Sequence, residues 1–318
     1  MNTTTPAARI GPAGSRLPDV LFRSGTRGFA WAIVALLGLV ALLLAVNSGE
    51  ALSKFGLSFL TGTTWDPIAA IYGALPFIVG TIASALIAIL LATPIGILTA
   101  IFLAELAPRR LAIPLTFAIE LLAAIPSVVY GLWGVFILGP FLSSTVESWL
   151  VGLFGWIPIF AGPPFGVGLF AAGVILTLMI LPTIIAITRD VITAVPDSQR
   201  EAMLALGATR WETITKAVLP YARSGIFGAV ILGLGRALGE TMAVTMVIGN
   251  RPEVPHSVFD SAQTIASQIA TTFNEASVGL QTSALIALGL VLLGITISLN
   301  VVARLLVGRV SGPSQEGR

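Results

Sequence analysis

The sequence predicts an all-α integral membrane protein with six transmembrane helices, and three observations support that fold class. Apolar residues make up 56% of the 318 positions and charged residues only 10%, a balance typical of membrane proteins. Six apolar runs are each long enough to cross a bilayer core of about 30 Å, which takes about 20 helical residues. The basic residues cluster between alternate runs, as the positive-inside rule requires.

The N-terminal region predicts a flexible tail followed by a first span. Residues 1–27 are rich in Pro, Gly, Thr and Arg and show no periodicity. The apolar run Gly28–Val46 follows them. A basic leader before an apolar run also describes a cleavable signal peptide, but this run is longer than a usual signal core and further spans follow. We therefore favour a retained signal anchor.

Five further runs complete a predicted membrane domain of residues 28–310, before a short tail at 311–318. They cover Ala74–Leu103, Leu111–Phe141, Val167–Thr188, Gly225–Gly249 and Ser283–Val307. An even number of spans places both termini on one side of the membrane. Fourteen of the 17 basic residues fall on that side, whereas only Lys54 and Arg251 fall on the other. Since Lys and Arg are retained on the cytoplasmic face, we expect cytoplasmic termini.

Composition also excludes several classes of site. The chain has no cysteine and one histidine, so it lacks the residues for a disulfide framework, a thiolate nucleophile or a zinc centre. It has no Gly-rich loop ending in Gly-Lys-Ser or Gly-Lys-Thr, the signature of a Walker-type ATP site. The net charge of +2 comes from basic residues that lie mostly in loops on one side, so these residues indicate membrane orientation and not an anionic partner. We therefore expect no enzymatic activity, metal, cofactor or nucleic-acid partner, and we expect lipid around the spans.

The polar loop between the fourth and fifth runs reads SQREAMLALGATRWETITKAVLP and starts at Ser198. Ser198 with Glu201 fits a capping box, and so does Thr209 with Glu212. Gly207 lies between the two and can close the first helix in the left-handed conformation. The pattern predicts a helix, a glycine elbow and a second helix, a unit that a soluble partner can bind.

Apolar positions at helical spacing form two strips in this loop. The strip on the first helix consists of Ala202, Met203 and Leu206. The strip on the second helix consists of Trp211, Ile214 and Val218. We expect the second strip to pack its helix against the membrane domain, and Leu219 with Pro220 to end that helix.

Two charged residues, Arg236 and Glu240, lie near the centre of the fifth predicted span. An arginine at mid-bilayer costs about 2.5 to 3.5 kcal/mol, so it should face protein or water. On a helix the two residues share one face and can pair, which leaves guanidinium donors for a second anion. A planar guanidinium suits a phosphate-like oxyanion. The alternative is that the pair neutralises itself and only joins helices.

Other polar residues at membrane depth lie in the third predicted span. Glu120 is placed either to pair with Arg236 or at a helix end. Pro126 removes a backbone hydrogen bond that neighbours or water must replace, and Ser127 and Tyr130 are close to it in sequence. A structural kink explains each of these residues, taken alone, at least as well as a transport role.

Three segments resemble known transport proteins. The loop pattern of Glu201-Ala202, Gly207 and Leu219-Pro220 resembles the EAA loop of ABC importer permeases, with Ala217 where that pattern usually has isoleucine. The segments IPSVVYGLWGVF and LGLGRALGETMAVTMVIGN resemble a narrower group, the PstC family of permease subunits of the bacterial phosphate-specific ABC importer. Together with the loop, they agree with this family in order and topology.

This resemblance implies a type I (MetI-like) permease fold in the bacterial plasma (inner) membrane and ATP-driven transport of inorganic phosphate. The implied partners are a second permease subunit (PstA-like), a homodimeric ATPase (PstB-like) and an extracytoplasmic phosphate-binding protein (PstS-like). That protein would dock on the outward loops near 47–73, 142–166 and 250–282. A permease for sulfate or molybdate and an ion-coupled secondary transporter or channel are the alternatives.

The resemblance also implies roles for individual residues. In the family, the Arg and Glu of the GRALGE segment belong to the phosphate path, and they correspond to Arg236 and Glu240. Further candidates for that path are Glu120, Ser127, Tyr130 and Thr241. The expected ATPase-coupling residues are Glu201, Ala202, Gly207, Trp211, Leu219 and Pro220.

Overall fold

The computed structural model describes residues 16–311 in two units, the first ending at Val46 and the second beginning at Asn47. Helix α1 (Arg16–Asn47) forms the described part of the first unit. Residues 16–27, which the sequence predicts to belong to a flexible tail, are the first part of this helix. Pro18 falls in its first turn, where the missing N–H is not needed. The rest of that tail, 1–15, and residues 312–318 lie outside the described residues.

The second unit is mainly helical, with one short hairpin near its start. Its α-helices and strands, in chain order, are α2 (Gly49–Phe55), α3 (Ser58–Thr61), β1 (Trp65–Asp66), β2 (Ile71–Tyr72), α4 (Leu75–Ile101), α5 (Arg109–Ala124), α6 (Ser127–Trp133), α7 (Gly139–Phe141), α8 (Ser148–Phe154), α9 (Leu169–Thr193), α10 (Asp197–Ala205), α11 (Arg210–Thr213), α12 (Leu219–Gly239), α13 (Met242–Val247), α14 (Ile265–Thr272) and α15 (Leu280–Ser311). Wider π-helical turns cover Phe102–Leu106, Gly134–Leu138, Leu142–Glu147 and Ile214–Val218. Short 3₁₀ turns cover Pro158–Phe160 and Phe273–Glu275.

Six helical stretches among residues 16–311 are long and apolar enough to cross a bilayer, which confirms the predicted number of spans. They are Val20–Asn47, Leu75–Leu106, Ser127–Phe154, Leu169–Thr193, Arg210–Gly239 and Leu280–Leu305. The third and the fifth differ from the predicted spans by much more than the residue or two by which helix ends usually vary.

The third predicted span, Leu111–Phe141, was wrong because the chain breaks inside it. Helix α5 ends at Ala124, and Ile125 and Pro126 are extended, with ψ of 128° and 143°. The residue before a proline avoids the helical region, and proline itself has no N–H to donate. A new helix therefore starts at Ser127 and continues through two π-helical turns to Phe154.

The fifth predicted span, Gly225–Gly249, was wrong at both ends. The helix starts earlier, at Arg210 in the polar loop before it, and ends at Gly239. Glu240 is extended, with ψ of 128°, and the short helix α13 follows. The break therefore falls in the segment that carries the two charged residues.

Helices α4 and α9 form the centre of the second unit. Their backbones come close where glycine meets isoleucine: a Cβ at Gly173 would lie 2.4 Å from Ile87 Cγ2, and one at Gly96 would lie 2.8 Å from Ile184 Cγ2. Small residues allow this approach, which maximises van der Waals contact where no water drives association. Helix α12 packs on the same isoleucine, since a Cβ at Gly233 would lie 3.0 Å from Ile184 Cγ1. These three helices hold the charged segment in place.

Candidate functional site

Arg236 lies in the last turn of α12 and points toward α9. Its Nη1 donates a hydrogen bond of 3.4 Å to Thr183 Oγ1, and the residue is exposed in the isolated chain. Thr183 is ten residues from the C-terminal end of α9, which is about 15 Å of helix and half of a bilayer core of about 30 Å. Arg236 is therefore at the end of a helix but near the middle of the membrane.

The predicted pairing of Arg236 with Glu240 on one helical face was wrong. In the described residues no ion pair joins the two, because the helix ends between them and the extended Glu240 turns away from the helical repeat. Glu240 Oε1 instead accepts a hydrogen bond of 3.3 Å from the Ala243 N–H, at the start of α13. Glu240 thus supports the helix that follows the break.

Thr241 is the second residue in the break. Its hydroxyl donates to the Gly239 carbonyl oxygen at 3.3 Å, and its own carbonyl oxygen accepts from the Thr245 N–H at 2.9 Å. These bonds satisfy backbone groups that an interrupted helix leaves without intrahelical partners. The sequence placed Thr241 near the two charges, and the structure keeps it there, half-buried.

Tyr130 bridges the other break in the membrane region. Its buried hydroxyl donates a hydrogen bond of 2.8 Å back to the Leu122 carbonyl oxygen, across Ile125 and Pro126. That bond satisfies an acceptor at the end of α5, so the phenol has a structural task. The charge of Arg236 is close enough to act electrostatically on the same phenol. The structure therefore brings Tyr130 into the neighbourhood of the arginine.

Helices α6 and α13 pack closely beside this site. A Cβ at Gly131 would lie 2.5 Å from Met246 Sδ and 3.2 Å from Ala243 Cα, so only glycine fits there without a shift. This contact joins the segment after the first break to the segment after the second. Ser127, in the first turn of α6, is half-buried.

Glu120 is placed differently from the other path candidates. Its carboxylate lies 3.8 Å from the Arg189 guanidinium, near the C-terminal end of α9, and its side chain is mostly exposed. Arg189 also pairs with Asp190 at 2.8 Å. Glu120 therefore lies near a helix end, which is one of the two positions predicted from the sequence.

The polar loop that starts at Ser198 has the predicted order of helix, elbow and helix. Gly207 adopts φ of +83°, and its N–H donates to Leu204 O while the Ala208 N–H donates to Met203 O, a Schellman ending. The capping box of Thr209 and Glu212 is complete: the Thr209 side chain accepts from the Glu212 N–H, and the Glu212 side chain accepts from the Thr209 N–H.

The capping box predicted for Ser198 and Glu201 was wrong. Helix α10 already starts at Asp197, after Pro196, so Ser198 lies within the first turn. An extended Pro196 and the acidic Asp197 begin this helix instead of a serine cap.

Two other expectations for the loop were wrong. Trp211 does not pack against the membrane domain but is 58% exposed, whereas Ile214 and Val218 are buried as expected. Leu219 and Pro220 do not end the second helix, which continues to Gly239. The π-helical turn Ile214–Val218 widens the helix just before the proline, whose ring would otherwise clash with an earlier carbonyl.

Three residues with contacts at these sites were not predicted from the sequence: Thr183, Arg200 and Glu105. Thr183 contacts Arg236, and Arg200 Nη2 pairs with Glu105 Oε1 at 2.7 Å although the residues are 95 positions apart. Opposite charges next to the ends of apolar runs were a visible signal for the pair. Tertiary packing determines which of several acidic residues pairs with Arg200.

Comparisons with known proteins agree with this architecture. Residues 92–312 match the family described as "Binding-protein-dependent transport system inner membrane component". The phosphate transport system permease protein PstC of Mesorhizobium japonicum is 49% identical over 92% of this chain and 91% of its own length. PstC of Pasteurella multocida is 48% identical over 94% of each chain, and PstC 1 of Mycobacterium tuberculosis is 38% identical over 96% of each.

Solved structures share the fold at low sequence identity. The MetNI methionine ABC transporter, in an inward-facing conformation, aligns with a TM-score of 0.57 and 17% identity, over 78% of this chain and 99% of its own. A bacterial alginate ABC transporter aligns with a TM-score of 0.55 and 15% identity, over 94% and 99%. The six-helix arrangement is therefore that of MetI-like ABC importer permeases.

The contact of Glu240 with Ala243 predicts how two substitutions affect stability. Glu240→Ala removes the acceptor at the start of α13 and should lower the free energy of unfolding by about 1 kcal/mol, as loss of a helix cap does. Glu240→Gln keeps an acceptor oxygen and should unfold like the wild type. Thermal unfolding of the purified chain in detergent measures both. An equal loss in the two variants would mean that the negative charge, and hence an ion pair, is required.

Proposed function

Because the chain belongs to the PstC family of binding-protein-dependent inner membrane transport components, we propose that Arg236 binds the phosphate that this family transports. The chain is the membrane-spanning permease subunit of an ATP-driven importer of inorganic phosphate. It is a multi-pass protein of the inner membrane and works with an ATPase, a binding protein and a further permease subunit. We also propose which residues contact the ion and which bind the ATPase.

The available donors of Arg236 are the observation that carries this proposal. In the described part of the chain, its guanidinium makes one long hydrogen bond, to Thr183, although it lies near mid-bilayer. A guanidinium has five N–H donors, and an unpaired charge is costly in a medium without water. A transported oxyanion can accept parallel charge-assisted bonds from these donors.

The break at Glu240 and Thr241 supports the same location. Irregular backbone at membrane depth is tolerated where it is buried in protein or lines a water-filled cavity. Broken helices near the midplane also form the substrate sites of many secondary transporters. Glu240 and Thr241 hold this break in place, and Ser127 and Tyr130 belong to the neighbouring wall of the proposed path.

Glu120 has a different place in the proposal. Because it pairs with Arg189 toward the cytoplasmic end of α9, we assign it to the inner mouth of the path. There the arginine offers a second cation to an ion that leaves on that side.

We further propose that the ATPase binds the coupling loop, residues 198–220. Leu206 is 84% exposed and Trp211 is 58% exposed, on either side of the Gly207 elbow. Exposed large apolar side chains at a cytosolic elbow are typical of a protein contact, and Glu201 and Ala202 lie exposed on the first helix beside them. Leu219 and Pro220 lead from this surface into α12, which ends at Arg236.

The orientation follows from the same proposal. The coupling loop must face the cytoplasm, where ATP is available, and the excess of basic residues on that side agrees. Both termini are then cytoplasmic, and the loops near 47–73, 142–166 and 250–282 face outward. We assign docking of the phosphate-binding protein to these outward loops.

Competition measurements distinguish phosphate from the other oxyanions. In a strain that carries only this importer, excess unlabelled phosphate should block uptake of labelled phosphate, and excess sulfate or molybdate should not. Block by sulfate alone would overturn the assignment of the substrate. Phosphate flux through the reconstituted chain without any ATPase would instead indicate a secondary transporter.

Substitution of Arg236 tests the proposed ion contact. Arg236→Gln should lower phosphate uptake about 100-fold, since losing a charge-assisted contact costs about 3 kcal/mol. Arg236→Lys keeps the charge without the planar fork and should be intermediate. The matched control is Arg251→Gln, because Arg251 lies in an outward loop and pairs with Glu253 at 2.8 Å. Normal uptake by an assembled Arg236→Gln complex would show that the arginine is structural only.

Substitution of Gly207 tests the proposed coupling loop. A Cβ at Gly207 meets no atom within 4 Å, so any effect comes from its φ of +83° and not from a clash. Gly207→Val should strain the elbow and detach or uncouple the ATPase, because β-branched residues disfavour this region. Gly207→Asn should keep function, since asparagine tolerates the left-handed conformation. Co-purification of the ATPase and phosphate uptake measure both, and unaffected Gly207→Val would contradict the proposed elbow.

A further inference from the structure

One side chain joins the coupling loop to two membrane helices. Arg200 projects from α10, and its Nη2 and Nε donate to Glu105 Oε1 at 2.7 Å and 3.2 Å. Glu105 belongs to the π-helical turn Phe102–Leu106 that ends the second span. The side chains are only 18% and 14% exposed, so the pair is largely withdrawn from water.

The same guanidinium also binds the end of α9. Nη2 donates to the Ile192 carbonyl oxygen at 2.9 Å, and Nη1 donates to the Val195 carbonyl oxygen. Nη1 further contacts Asp197 Oδ1 at 3.3 Å, which keeps the start of α10 in place. Arg200 therefore binds carbonyls at and just after the end of α9, while it pairs with the end of the α4 span.

These bonds differ in kind from the other contacts of the loop with the membrane helices. Ile214 and Val218 pack in an apolar cluster with Ile101 and Ile192. Apolar contact is non-directional, so it does not by itself fix which atoms face each other. A buried charge pair is directional, and separating it would leave each charge without a partner in a poorly solvated site. Movement of α10 must therefore carry the ends of α4 and α9 with it.

We propose that the Arg200–Glu105 pair is the link that transmits movement of the coupling helix α10 to helices α4 and α9. The inference rests on the proposed function, since it takes α10 to be part of the ATPase-binding loop. Arg200 is a positioning residue in this account, and it contacts neither phosphate nor nucleotide.

The packing of the membrane helices extends this link to the ion site. Helices α4 and α9 are held together where Gly96 meets Ile184 and Gly173 meets Ile87, so they move as one body. Thr183 lies nine residues before Ile192 on α9, which is about 14 Å of helix. A displacement applied through Arg200 therefore reaches the Thr183 contact of Arg236.

The test uses the whole importer reconstituted in liposomes. Arg200→Lys keeps the buried positive charge but has only three donors, so it cannot bind all four acceptor oxygens that Arg200 contacts on Glu105, Asp197, Ile192 and Val195. Arg200→Met removes the charge. We expect phosphate transport per ATP hydrolysed to fall about tenfold or more in both, while the ATPase still co-purifies and hydrolyses ATP. The control is Lys216→Met, which breaks the exposed pair of Lys216 and Glu212 in the same loop and should leave coupling unchanged.

The outcomes separate this inference from the proposed function. Normal coupling in Arg200→Lys and Arg200→Met overturns the inference and leaves ATPase docking intact. Loss of the ATPase from these variants also overturns it, because Arg200 would then shape the docking surface. If the ATPase does not co-purify with the wild-type chain, the proposed ATPase contact itself is wrong.

A rescue experiment distinguishes a mechanical link from a general loss of stability. The chain has no cysteine, so Glu105→Cys with Arg200→Cys introduces a unique pair of thiols. A short bis-methanethiosulfonate crosslinker between them should restore coupling, and a reductant should abolish it again. Each single cysteine variant treated in the same way should stay uncoupled. A crosslinked protein that hydrolyses ATP without transport would contradict the proposed link.

Discussion

The absence of water inside the bilayer is the constraint on which this structure depends. Every backbone N–H and C=O in the membrane must find a partner within the protein, and continuous helices provide it. Most of the second unit follows that rule. The exceptions are the breaks at Ile125–Pro126 and Glu240–Thr241, and each has a side chain that satisfies its free backbone groups. Tyr130 does so for the first break, and Glu240 and Thr241 do so for the second.

Both breaks are close to Arg236, which lies near the middle of the bilayer. Arg236 ends α12 where that helix meets α9, and it is within Coulombic range of Tyr130. Interrupting the helix separates Arg236 from Glu240, which an intact helix would have brought together as a self-neutralising pair. The irregular backbone thus leaves guanidinium donors available for a passing anion, and the proposed phosphate path depends on that separation.

The coupling-loop end of the helices uses the opposite arrangement, in which charges are paired and enclosed. Arg200 and Glu105 satisfy each other, and the remaining guanidinium donors bind carbonyls at the end of α9. An enclosed pair makes a stiff joint, while the exposed Leu206 and Trp211 offer an adaptable apolar surface to a partner. A rigid attachment on one side of α10 and an open contact surface on the other suit a segment that transfers force.

The sequence by itself determined the fold class, the number of spans, the elbow at Gly207 and the family, because these depend on hydrophobic length, local backbone preference and short motifs. It also placed Arg236 at membrane depth. Only the tertiary structure decided that Pro126 splits a span while Pro220 does not, and that Glu240 leaves the helix before it can pair with Arg236. Only packing determined which acidic residue receives Arg200. Local patterns record what a segment prefers, whereas these outcomes depend on distant groups that satisfy a backbone break or a buried charge.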